Sequence, residues 1–326
     1  MKRTILVLNL IVLFFLLTSC GEPVVYSRTI FAMDTIINVT IYNAEEEHLN
    51  NIRDIYMDYS NACDMFNSYE GNLCDLNNKR STKVNKELLE VITYSLEIEK
   101  ELGGYFNILI GRITKIWKDA LHIGDNSYPV EIPDDELIQA ELKIMNESKI
   151  IIEGDVVTIE GDANIDLGGV AKGYATQKVE EYLKENNITS YMVNAGSSNI
   201  SLGYKNKNDS YLVGLTNLDR MSYFKKIRVD NKAIVTSSIA EQNRVVDGKI
   251  YTHIINPLTG YCVNNYDIVT IIGEQSGYLD ILSTTLFSMD IETIKSYLSD
   301  KDIEIVLVKD NEILYESEGI KNYEEL

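Results

Sequence analysis

Asn164-Ile165-Asp166-Leu167-Gly168-Gly169-Val170-Ala171-Lys172-Gly173-Tyr174 is the stretch from which the rest of the chain is read. Two adjacent glycines let a backbone approach a ligand closely. The apolar spacing after them predicts a helix from about Gly169 to Asn186. A helix N-terminus offers free N–H groups and partial positive charge, and Lys172 adds a full one. That combination suits a phosphate or pyrophosphate. Local features alone are equally those of a tight strand-to-helix turn with an exposed lysine.

Upstream, Thr29–Tyr42 reads as one β-branched strand and Glu45–Asn67 as a long helix. A second helix is predicted over Asn85–Leu102. Asn85 can cap it, Leu88, Ile92 and Leu96 share a face, and Gly103-Gly104 stops it. His122–Pro133 is a polar surface loop, and Lys149–Ile159 a hairpin around Glu153-Gly154-Asp155. Downstream, strands are expected at Tyr191–Val193, Tyr211–Leu215, Lys226–Val229, Ala233–Thr236, Thr252–Ile255 and Ile268–Ile272. Helices follow at Gly277–Met289 and Ile291–Leu298. A hairpin of Ile303–Val308 and Glu312–Tyr315 turns at Asp310-Asn311. Helices cluster rather than alternate strictly with strands, which defines an α+β class with a mixed or antiparallel sheet.

The chain has 326 residues, 45% of them hydrophobic, and a net charge of -20. A duplex nucleic-acid binder carries the opposite balance, so no nucleic-acid partner is expected. An anionic substrate then needs a local device, such as a metal ion or a helix N-terminus. The N-terminus reads as a leader. Lys2 and Arg3 precede an apolar run, Ile5–Leu17, broken only by Asn9 and short for a membrane span. Leu17-Thr18-Ser19-Cys20 resembles a bacterial lipobox. That resemblance implies a signal peptide over 1–19, an acylated Cys20 with a short tether over 20–28, and a lipid-anchored chain on the extracytoplasmic face of the cell membrane. An uncleaved signal anchor is the other reading. Cys63, Cys74 and Cys262 form no CxxC pair, and Cys63 and Cys74 are either bridged or free.

Asp280 and Thr284, four residues apart, bring two oxygens to one helix face. Asp280 is otherwise an ordinary first-turn acid. His253 is one of three histidines; His48 falls on a polar helix and His122 in a loop. A strand imidazole is either structural or a proton carrier.

Asp166–Ala175, DLGGVAKGYA, resembles the D-L-G-G-[IV]-A-K-G-Y-A segment of the ApbE family. In family order come Met33-Asp34-Thr35 (M-G-T), Val193-Asn194-Ala195-Gly196 (V-N-A-G), Tyr251-Thr252-His253-Ile254-Ile255-Asn256-Pro257-Leu258-Thr259-Gly260 (Y-S-H-I-I-D-P-x-T-G) and Leu279–Phe287 (A-D-A-L-S-T-A-L-F). The resemblance implies a single bilobed catalytic domain over 29–326. It also implies Mg2+-dependent transfer of FMN from FAD to a Thr or Ser hydroxyl of an acceptor protein, with release of AMP. The implied acceptor is a membrane-associated redox protein with a threonine-containing motif. Gly169, Asp280 and Thr284 would hold the metal. His253 and Asp280 would be catalytic. Met33, Tyr69, Phe106, Asn107, Asp166, Lys172 and Ile254 would contact the flavin nucleotide. The same site using water would be an FAD pyrophosphatase giving FMN and AMP. Without chemistry it would be a flavin-binding lipoprotein.

The sequence departs from the family pattern in three places. G-x-F-D-P-T-x-G-P-L reads Gly104-Tyr105-Phe106-Asn107-Ile108-Leu109-Ile110-Gly111-Arg112-Ile113, with Asn for Asp and neither proline, ahead of Trp117. Asn256 also replaces an Asp. Thr236-Ser237-Ser238-Ile239-Ala240-Glu241 has a serine where T-S-G-x-x-E has its glycine.

Overall fold

The computed structural model describes residues 23–122, 127–205, 209–240 and 242–323. The leader, Cys20, the start of the tether, part of the 122–133 loop and Glu241 lie outside the described residues.

The stretch expected as one strand is two, β1 (Val25–Ala32) and β2 (Thr35–Tyr42), paired antiparallel. Between them Met33 and Asp34 both adopt left-handed φ, 53° and 55°. That is the twist a two-residue hairpin turn requires. Residues 25–28 therefore belong to the sheet and not to a tether. The first helical block comprises α1 (His48–Ala62), α2 (Leu73–Lys79) and, after β3 (Ser81–Lys83), α3 (Lys86–Glu99). The long helix expected to reach Asn67 ends at Ala62, because Asp64 accepts the amides of Phe66 and Asn67 and turns the chain. Asn85 caps α3 as expected, its Oδ1 accepting from the Leu88 amide at 2.9 Å. Two amphipathic helices, α4 (Gly111–Leu121) and α5 (Asp135–Glu147), precede the hairpin of β4 (Lys149–Glu153) and β5 (Val156–Glu160).

The second half contributes α6 (Ala171–Glu185), β6 (Tyr191–Ala195), β7 (Asn199–Leu202), β8 (Tyr211–Thr216), β9 (Tyr223–Val229) and β10 (Lys232–Ser238). It continues with β11 (Asn243–Val246), β12 (Lys249–Thr252), β13 (Ile268–Gly273), α7 (Ser276–Thr285), α8 (Ile291–Leu298), β14 (Glu304–Lys309) and β15 (Glu312–Glu316). The strand expected over Thr252–Ile255 lies earlier. It is β12, hairpinned to β11 through Asp247-Gly248, both with positive φ.

Eight strands form one sheet in the order β1-β2-β6-β7-β10-β13-β14-β15, and every ladder in it is antiparallel. At β13 both faces are covered. On one side, Val269 and Ile271 of β13 join the core beneath α1, α6 and α7. On the other, Ile268 and Ile272 meet Tyr211, Ile227 and Val229 of the β8–β9 ribbon. That double cover is why Ile268–Gly273 reads as an apolar run and not an alternation. A smaller lobe of α4, α5 and the β3-β5-β4 sheet shares the first core through Ile113, Trp117, Ile138 and Val157. The architecture is α+β and bilobed, with the two lobes sharing the larger of its two cores. Cys63, Cys74 and Cys262 stand as free thiols.

The contact that fixes the site is between α6 and α7. A Cβ added to Gly173 would fall 2.3 Å from Asp280 Cβ and 2.6 Å from the Ser276 carbonyl. Only glycine lets the two helices meet this closely.

Candidate active site

A cleft of about 1010 Å3 opens between the lobes. Its floor is the start of α6 against α7. Asp280 is 7% exposed. Its Oδ2 accepts the Gly173 amide at 2.7 Å, and Lys172 Nζ lies 3.0 Å from Oδ1 and 3.3 Å from Oδ2. A buried carboxylate is tolerable only when paired in this way. One turn on, Thr284 Oγ1 is 3.4 Å from Ser237 Oγ, which also bonds Ser283 Oγ at 2.8 Å. A Cβ on Gly169 would stand 3.9 Å from Thr284 Oγ1, so the Gly168-Gly169 backbone faces that hydroxyl across a narrow gap.

Asp166 shapes the turn into α6. Its Oδ1 accepts the Gly168 amide at 2.8 Å and its Oδ2 the Thr114 hydroxyl at 2.7 Å. The divergent loop is tied to the same turn. Asn107 Oδ1 accepts the Leu109 amide at 2.8 Å, an Asx turn that sets the local bend without proline. The Asp166 amide donates to the Ile108 carbonyl at 2.8 Å, and the Gly111 amide to the Asn164 carbonyl at 2.9 Å. Trp117 then pins α4 across the cleft, its Nε1 donating to the Gly260 carbonyl at 2.8 Å while its ring stacks on Tyr251.

His253 follows β12 and lines the cleft wall. Its Nδ1 is 3.2 Å from the Gln242 carbonyl, which can only accept. Nδ1 therefore carries a proton, which fixes the ring's orientation at the cleft. Met33, Phe106, Asn107, Asp166, Gly169, Lys172, Ile254, Asp280 and Thr284 all line the same cleft. Tyr69 does not. It is 55% exposed, and the nearby aromatic ring that does line the cleft is Phe66, with Lys118 Nζ 4.5 Å above it. Sequence reasoning also passed over Thr114, Ser237 and Arg220. Ser237 sat in a quoted motif and went unassigned. Thr114 was hidden by the unrecognised helix α4.

Among the described residues no cluster of three or more His, Cys, Asp or Glu could hold a metal ion. The floor instead combines one carboxylate, one hydroxyl and adjoining main chain. All are hard oxygen donors, too few to complete a shell by themselves, which fits a small divalent cation that takes its remaining ligands from phosphate and water.

The chain belongs to the ApbE family, whose model matches residues 33–307. It is 25% identical over 297 residues to an FAD:protein FMN transferase of Klebsiella pneumoniae, covering 88% of this chain and 90% of that one. Among solved structures, the flavin transferase ApbE from Vibrio cholerae superposes with a TM-score of 0.76 at 22% identity, over 93% of this chain and all of that one. The ApbE protein of Thermotoga maritima gives 0.77 at the same identity and coverage.

Proposed function

We propose that this chain is an FAD:protein FMN transferase that uses Mg2+, releases AMP, and works from a lipid anchor on a membrane-associated redox protein. The observation that carries the chemistry is the α6–α7 junction. A buried carboxylate, a lysine, a helix N-terminus and a threonine hydroxyl converge there on the floor of a cleft large enough for a dinucleotide.

Lys172 and the amides at the start of α6 bind the pyrophosphate. Asp280, Thr284 and the Gly169 main chain would hold Mg2+, which supplies charge neutralisation at the phosphates. Asp166 keeps the glycine turn open so that the backbone reaches the ligand. Phe106, Met33 and Ile254 give apolar wall for the flavin. The acceptor hydroxyl attacks the FMN phosphorus, the bond to the AMP phosphate breaks, and the hydroxyl proton passes to a base. His253, on the wall of the same cleft, is assigned that proton.

The test is to incubate the chain from Gly21 onward with FAD, Mg2+ and an acceptor carrying a single threonine. Flavin fluorescence on the acceptor and AMP are measured. Labelled acceptor that disappears with EDTA establishes transfer. AMP and free FMN without label would make the chain a hydrolase, and intact FAD in every arm would leave only a binder. His253→Ala should lower transfer by about 10²-fold or more; near-normal turnover would remove it from the proton path. Cys20→Ala in the full chain should shift the protein from membrane to soluble fraction. No helix among the described residues is long and apolar enough to cross a membrane.

A further inference from the structure

The two edges of the main sheet are built differently. β15 is guarded. It carries Glu312 and Glu316, its ladder with β14 slips between Leu307 and Val308, and the Glu318–Tyr323 turn lies against β14 and β9. Lys225 pairs with Glu316 at 2.7 Å. Charge, irregularity and cover are the usual protections of a sheet edge.

β1 is far less protected. It is eight residues long, VYSRTIFA, with no proline, no bulge in its ladder with β2 and one charged residue, Arg28. The direction of its backbone groups follows from two bonds. The Tyr42 amide donates to the Ser190 carbonyl, and the Ile36 carbonyl accepts the Gly196 amide. Tyr42 and Ile36 thus point their main chain away from β1. Their partners Val25 and Phe31 must then point theirs outward, and by alternation so must Ser27 and Thr29. All four residues are exposed, Phe31 at 73%. Phe31 lies opposite Ile36, itself 51% exposed, and the pair forms an apolar step at the end of the strand. Immediately beyond it, Met33 and Asp34 line the cleft.

We infer that the free edge of β1 is the docking rail for the acceptor polypeptide, which adds as an extended antiparallel strand alongside Val25, Ser27, Thr29 and Phe31. This rests on the transferase reading above. A protein substrate must be led into the cleft, and this open ladder ends at the cleft wall. Main-chain pairing supplies affinity and the Phe31–Ile36 step favours an apolar residue near the modified site. Antiparallel pairing also fixes polarity. β1 runs toward the cleft, so the acceptor runs away from it, and the modified threonine lies on the N-terminal side of the paired stretch.

The experiment gives the protein FAD, Mg2+ and a synthetic peptide with one threonine followed by an alternating apolar tail. The expected results are flavin on the peptide and slowed hydrogen exchange at the amides of residues 25, 27, 29 and 31. Thr29→Pro removes an outward N–H while leaving the β1–β2 ladder intact. It should lower kcat/KM for the peptide about tenfold, the size of one or two net hydrogen bonds, with FAD affinity and melting temperature unchanged. Thr29→Lys should act in the same direction. Moving the tail to the N-terminal side of the threonine should abolish its benefit. Equal labelling by Thr29→Pro, protection only elsewhere, or an unlabelled peptide where a folded acceptor is labelled would each overturn the rail. A concentration-dependent dimer dissolved by Thr29→Pro would assign the edge to a second copy of the chain instead. Intact FAD with both peptide and folded acceptor would sink the transferase reading itself, so the two failures separate.

Discussion

The floor of the cleft and its rim are held by different means. At the floor, side chains carry the function: Asp280, Lys172 and Thr284 meet because Gly173 lets α6 and α7 touch. At the Tyr105–Gly111 rim the main chain does the positioning, through the Ile108–Asp166 and Asn164–Gly111 bonds, and Asn107 contributes only an Asx turn. Identity should therefore matter greatly at the floor and little at the rim. The rim can lose two prolines and an aspartate and still follow its course.

Substitutions test that contrast directly. Asp280→Asn should cost the most, about 10³-fold in turnover, by removing the anionic ligand that would hold the cation against the phosphates; a Mg2+ titration of activity that does not change would break the contrast at its strongest point. Gly173→Ala comes next. Its Cβ would overlap Asp280, and forcing the helices apart should destabilise the protein by about 1–3 kcal/mol, read as a lower midpoint in urea. Asn107→Leu removes one local hydrogen bond and should cost about 1 kcal/mol in stability, with FAD affinity reduced a few-fold at most. A loss as large as that of Asp280→Asn would show that the rim carries chemistry. Tyr69→Ala should change FAD affinity by less than about twofold, since an exposed side chain away from the cleft sits among substitutions of small effect. Fluorescence titration with FAD measures both of these variants.

The floor was legible from sequence because its requirements are local. A glycine pair, a lysine on the next turn and an i, i+4 acid and hydroxyl show in the spacing, which by itself left each an ordinary structural reading, and the family resemblance decided between them. The rim was not legible. Helix α4 follows Gly111 with no capping side chain at Ile110, so no start signal announced it. Its Trp117–Gly260 bond joins residues 143 apart. The β1–β2 turn escaped for a similar reason. Met33 and Asp34 take left-handed φ without a glycine, so a stretch rich in β-branched residues looked like one strand. Tyr69 was placed by family position, and a side chain three residues earlier, Phe66, lines the cleft in its stead.

β1 also sets a reach. It enters the sheet at Val25 and arrives at the cleft only at Met33, about 26 Å later at about 3.3 Å per residue. Five Cα-to-Cα steps separate Cys20 from Val25, a span of at most about 18 Å for an extended chain. If Cys20 is acylated as proposed, the catalytic opening would be confined to a thin layer, no more than about 45 Å above the bilayer by the same lengths. A hydroxyl carried higher than that on a tall partner would be out of range, whatever its sequence.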